Sequence, residues 1–159
     1  MDAFAIFGLQ NFFSFLVYGL LAWWYAWPWL VRMPRERALS LLLIPHALRH
    51  VGLTILVPSV VSASVPRDFS TPVAYGDLVA TILAVVALVA LRGGWGAGIA
   101  LAWIANLWGA ADLLNALVLG IRLDASHLEL GSFWYVVTFL VPILWVAHVM
   151  SFLLLLRRR

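Results

Sequence analysis

The sequence predicts an all-α fold, a polytopic membrane helical bundle of five transmembrane helices with the N-terminus outside and the C-terminus in the cytoplasm. Three observations carry this. Of 159 residues, 65% are hydrophobic and only 11% charged, whereas soluble domains run near half and a quarter. A soluble fold of this size leaves too much surface exposed to hide that excess, while a bilayer solvates it. Five apolar runs each reach the ~20 residues a spanning helix needs. Lastly, the arginines fall unequally between alternate breaks.

The first run covers residues 3–31 and opens after Asp2 with no positive segment, so it reads as a retained span and not as a cleaved signal. Trp23, Trp24, Trp27 and Trp29 cluster at its far end, where indole rings favour the headgroup level. The break that follows holds Arg32, Arg35 and Arg37. The second run, 38–63, carries Pro45, which cannot bond the carbonyl of Leu41 and predicts a kink. Pro66, Arg67 and Asp68 lie in the next break, before the third run at 72–91. Arg92-Gly93-Gly94 reads as a tight turn into the fourth run, 95–119. Residues 120–131 form the one sizeable polar loop. The fifth run, 132–156, contains Pro142, whose missing N–H frees the carbonyl of Thr138. Trp95 and Trp134 mark the starts of the last two runs, while Trp103, Trp108 and Trp145 are deep enough to pack between helices.

Orientation follows from the basic residues. Arg32, Arg35, Arg37, Arg92, Arg157, Arg158 and Arg159 make seven on one side, against Arg67 and Arg122 on the other. Cytoplasmic loops carry the excess, and acidic Asp2 lies on the poorer side. The compact chain and clean bias suggest a bacterial inner membrane. No repeat or second domain is visible along residues 1–159.

Several functions are excluded. Without cysteine there is no disulfide or thiolate site. Without lysine there is no Schiff-base chemistry. The net charge of +3 comes from arginines at membrane boundaries, which argues against nucleic acid as a partner. No phosphate-binding loop, GxSxG, HExxH or dinucleotide fingerprint is present. An enzyme is therefore the weaker expectation; Asp112 and His50 are the groups available for proton transfer on a lipid substrate.

Ionisable groups in hydrocarbon are costly and face a bundle interior or a wet cavity. On a continuous α-helix, His46, Arg49 and His50 share one face. Arg49 lies ~17 Å from the cytoplasmic end, near the midplane, and needs a carboxylate, an anion or carbonyls. The third helix offers Asp77, and the fourth offers Asn106, Asp112 and Asn115 on or beside a stripe of Ala105, Gly109 and Ala116. His148 on the fifth lies at about the depth of His46. Gln10 and Asn11 lie in the outer half of the first helix.

The leading expectation is a site that binds, and could transport, a small ligand or proton, built from His46, Arg49, His50, Asp77, Asn106, Asp112 and Asn115. A redox subunit is the first alternative, with metal or haem at His46, His50 and His148, since an i,i+4 pair or two opposed histidines can serve as ligands. The second is a non-catalytic accessory subunit. Membrane lipids, and a homo-oligomer or partner membrane subunit, are the expected partners. Asp124, His127 and Glu129 read as a solvated loop. Gly94 and Gly98 have GxxxG spacing, a weak packing signal.

Overall fold

Asp2 starts the first helix as an N-cap, its carboxylate accepting the Ala5 N–H at 2.8 Å. In this computed structural model, which describes residues 1–157, the helix runs over Ala3–Leu30 (α1). Arg158 and Arg159 of the basic tail lie outside the described residues. The other long helices are Arg35–Leu56 (α2), Arg67–Arg92 (α3), Gly98–Arg122 (α4) and Phe133–Leu156 (α5). Helix accounts for 81% of the chain, with no strand among the described residues. All five helices are long and apolar enough to cross a membrane.

The ends differ from the sequence expectation for local reasons. Helix α3 begins at Arg67, not residue 72, because Pro66 supplies the N-cap and Asp68 suits the positive end of the helix dipole. Helix α4 begins at Gly98, not residue 95. Gly94 takes a left-handed φ of +68° and Trp95 N–H returns to the Ala90 carbonyl, so the turn needs more chain. Gly94 and Gly98 therefore lie across a turn and form no helix-packing motif. Helix α2 ends at Leu56, not residue 63; residues 57–66 form turns instead.

Three helices change their winding. A π turn at Ala22–Ala26 precedes Pro28, and another at Val136–Leu140 precedes Pro142. Each proline leaves the carbonyl four residues back without its usual donor, and wider winding accommodates the fault. In α2 the α-helix ends at Ala47 and tightens into a 3₁₀ segment, Arg49–Leu56. With three residues per turn, Arg49, Gly52 and Ile55 fall in one buried row.

Helices α2 to α5 form the core, with α3 packed between α2 and α4. Helix α1 lies outside, against α5, and buries only Ser14 and Leu30. Alanines 74, 80, 84, 87 and 90 on α3 are fully packed, and their small size lets α2 and α4 approach closely. At the end carrying Arg32 and Arg92, Leu39, Leu43, Ala84, Ala102 and Leu154 belong to one apolar cluster. At the Asp2 end a second cluster includes Ile55, Phe69, Val73, Leu130 and Phe133. A layer of buried polar groups separates the two. Trp108, expected between helices, is exposed on the outer surface.

Loops tie the ends. The Arg35 guanidinium donates to the Leu155 carbonyl, satisfying a C-terminal acceptor of α5. At the other end Ser62 N–H donates to the Glu129 carbonyl at 3.1 Å. Gly131, at φ +54°, lies so close to the Val60 carbonyl that any Cβ would overlap it.

Candidate functional site

Arg49 is the centre of the polar layer, 1% exposed although it is the largest fully buried side chain. Each of its three nitrogens donates. Nε reaches Asp77 Oδ1 at 2.7 Å, one terminal nitrogen reaches Asp112 Oδ2, and the other reaches the Gly109 carbonyl at 3.0 Å. Three helices thus meet on one guanidinium: α2 brings Arg49, α3 Asp77 and α4 Asp112. The cluster formally holds one positive and two negative charges.

Glycines make the fit. A Cβ on Gly52 would overlap the Asp77 carboxylate, and one on Gly76 would overlap that of Asp112. A Cβ on Gly109 would strike the His148 ring and Arg49. Sequence reasoning placed Gly109 on the small stripe but missed Gly52 and Gly76. In the sequence Gly52 stands three residues after Arg49 and Gly76 directly before Asp77, which ties neither glycine to the carboxylate it meets.

Behind Arg49 lies a histidine pair. His46 of α2 and His148 of α5 face each other with ring centroids 3.9 Å apart, at 3% and 1% exposure. His148 Nδ1 donates to Asn106 Oδ1 at 3.0 Å, and the Asn106 amide donates to the Ala102 carbonyl at 2.8 Å. This leaves His148 Nε2 as an acceptor, and neither it nor either nitrogen of His46 has a partner among the described residues.

Two expected members are elsewhere. His50 is exposed, its Nδ1 3.2 Å from the Ala47 carbonyl. The switch to 3₁₀ winding rotates it off the Arg49 row. Asn115 is exposed on α4, away from the stripe that carries Asp112. The i,i+4 metal pair of His46 and His50 is therefore not assembled, and no group of three or more possible ligands forms among the described residues. An axial haem between His46 and His148 does not fit either. Axial histidines point their nitrogens at iron from opposite faces of a porphyrin, whereas these two rings, tilted 33° to each other, have centroids only 3.9 Å apart and leave no room for one between them.

The cluster closes one side of a cavity of about 500 Å³. Its walls are mainly apolar and come from α1, α3, α4 and α5, with Phe7, Phe15, Phe69, Phe133 and Trp145 among them. Arg49, Asp77 and Asp112 line it at depth, and Asp124 and Ser126 line it at the Asp2 end. The two carboxylate side chains retain 12% and 9% exposure against 1% for Arg49, so the cavity meets oxygens more than guanidinium. Asn11 also lines it, while Gln10 accepts the Trp134 indole N–H at 2.6 Å and so pins α1 to α5.

The polar loop forms a small clasp beside the cavity. Asp124, at a left-handed φ of 52°, accepts from Ser126 Oγ at 2.9 Å and pairs with His127 Nδ1 at 2.8 Å. The His127 bond, then the Ser126 bond, holds the Asp124 carboxyl below the usual carboxylate range. The His127 ring lies parallel to Phe4 of α1, with centroids 6.2 Å apart.

No curated protein and no solved structure matches this chain. Over residues 6–156 it matches the model of a domain of unknown function, DUF8737, and it belongs to that family.

Proposed function

We propose that the chain is a multi-pass protein of a bacterial inner membrane, N-terminus out, that binds a small amphiphilic ligand in the cavity ending on Arg49, Asp77 and Asp112. One observation carries the reading. A cavity of about 500 Å³ with mainly apolar walls is lined on one side by the buried Arg49, Asp77 and Asp112 cluster. Binding sites combine such a volume with apolar walls and a few placed polar groups, and charged groups within a membrane commonly mark a ligand or ion path. The ligand's apolar body lies along the phenylalanines and its polar head reaches the carboxylates.

A second reading, proton transfer, is favoured by the column that continues from the aspartates through Arg49 to His148 and His46. Its ring nitrogens without partners among the described residues can accept a proton or a bridging water.

The test is native mass spectrometry of protein extracted gently from its own membrane, beside the Phe15→Trp variant, which narrows the cavity without touching the charged cluster. A co-purifying small molecule that the variant loses supports the reading. The same molecule retained at full occupancy by the folded variant rules out this cavity as its site.

A further inference from the structure

The charges on the cavity surface are unbalanced. Arg49 is the one cationic side chain among the lining residues, against Asp77, Asp112 and Asp124. Arg49 is also poorly placed to receive an anion, because three of its five N–H donors are taken within the protein and its side chain is 1% exposed, against 12% and 9% for the two carboxylates. Arg49 takes Asp77 Oδ1 and Asp112 Oδ2, and the second oxygen of each carboxylate rests against a glycine Cα, Gly52 or Gly76, with no donor among the described residues. An anionic head would therefore meet carboxylates and find no free cation. A cationic head would complete the charge that one arginine leaves missing beside two aspartates, in a setting where an uncompensated charge is costly.

The walls narrow the class further. An inorganic ion needs a few oxygens and no large apolar chamber. About 500 Å³ faced by Phe7, Phe15, Phe69, Phe133 and Trp145 suits an apolar body with diffuse charge, which aromatic faces also attract. Resting on the ligand-cavity reading above, we infer that the occupant is a lipophilic organic cation and that it exchanges with one proton on the Asp77–Asp112 pair. The balance is simple. Protonated once, the cluster is neutral; the entering cation takes the place of that proton, which leaves to solvent, and the site is neutral again. The ionisable groups facing the pair are Arg49 from α2, with His46 and His148 of α2 and α5 behind it; the α1 residues that line the cavity include no ionisable group, Asn11 being their one polar side chain.

Two ions of nearly equal shape and opposite charge provide the test. Saturable binding of tetraphenylphosphonium and of tetraphenylborate is measured on the full chain in nanodiscs, with empty discs subtracted, together with proton release into weak buffer. The expected result is binding of the cation with release of about one proton, and binding of the anion weaker by on the order of tenfold or more. Asp112→Asn, checked for folding by its thermal transition, should lose both cation affinity and proton release. The wild-type comparison stands even where that variant fails to fold. Equal or stronger binding of the anion, or cation binding without proton release, overturns the inference while keeping the cavity as a ligand site. Binding of neither ion by folded wild-type protein overturns the inference; whether the cavity reading falls with it is decided separately by the Phe15→Trp comparison.

Discussion

At the residue scale, Arg49 gathers three helices through one planar group, and the glycines beneath its partners are as necessary as the charges. Removing one member of a buried ion cluster leaves uncompensated charge, so Arg49→Ala should destabilise by about 3–5 kcal/mol. Gly76→Ala forces a methyl into the Asp112 carboxylate and should cost about 1–3 kcal/mol by overpacking. His50→Ala, on an exposed side chain, should stay within about 0.5 kcal/mol of wild type. Denaturant unfolding in micelles checks all three; a His50→Ala cost as large as that of Arg49→Ala would place His50 in the cluster. Arg49, Asp77, Asp112, Asn106 and His148 were legible in the sequence because ionisable and amide groups in apolar runs need partners at their own depth. Gly52 and Gly76 were not singled out, since a glycine does not reveal which carboxylate lies against its Cα.

At the element scale, winding decides which residues meet. A continuous α-helix would have put His50 on the face of Arg49; the 3₁₀ segment puts Gly52 and Ile55 there instead. Both π turns precede prolines visible in the sequence, yet a proline specifies only a missing donor, not the form of the repair. The loop clasp makes a pH prediction. Asp124 has a depressed carboxyl, so its bonds stabilise the loop fully above the unfolded value near 4, and that contribution is lost as pH falls through the lower folded value. In a carbon-detected NMR titration, Asp124 of wild type should show a midpoint below its ordinary value, and His127→Ala should move it upward. Coincident curves would mean that the clasp does not form in solution.

At the scale of the whole molecule, large apolar side chains stand exposed outside the core, on helices long and apolar enough to cross a membrane. Phe12, Phe13, Trp23, Trp24 and Trp29 on α1, and Ile104, Leu107 and Trp108 on α4, are all exposed. The absence of cysteine makes orientation directly measurable. Single cysteines at Ser64 and Ser132 should react with an impermeant maleimide added to intact cells, and one at Arg37 should react only after lysis. The reverse pattern would invert the N-out, C-in arrangement expected from the arginines. A peripheral α1, with few buried side chains and a cavity between it and the core, is also the helix held by the least packing, and so, on the proposed function, the one to move on ligand entry.

Composition and the length of five apolar runs determined the helices and their number, because the solvent that such a chain requires is set by its side chains alone. The same logic located the polar residues by depth, since their cost in hydrocarbon is independent of their neighbours. What only the tertiary structure decided was azimuth and adjacency. It brought Asp77 and Asp112 onto Arg49, set His46 against His148, turned His50 and Asn115 outward, and left a cavity above the cluster. These depend on local winding and on close approach of helices over alanine and glycine, where a change of one residue in register rotates a side chain by about 100°, a distinction that no count along the sequence resolves.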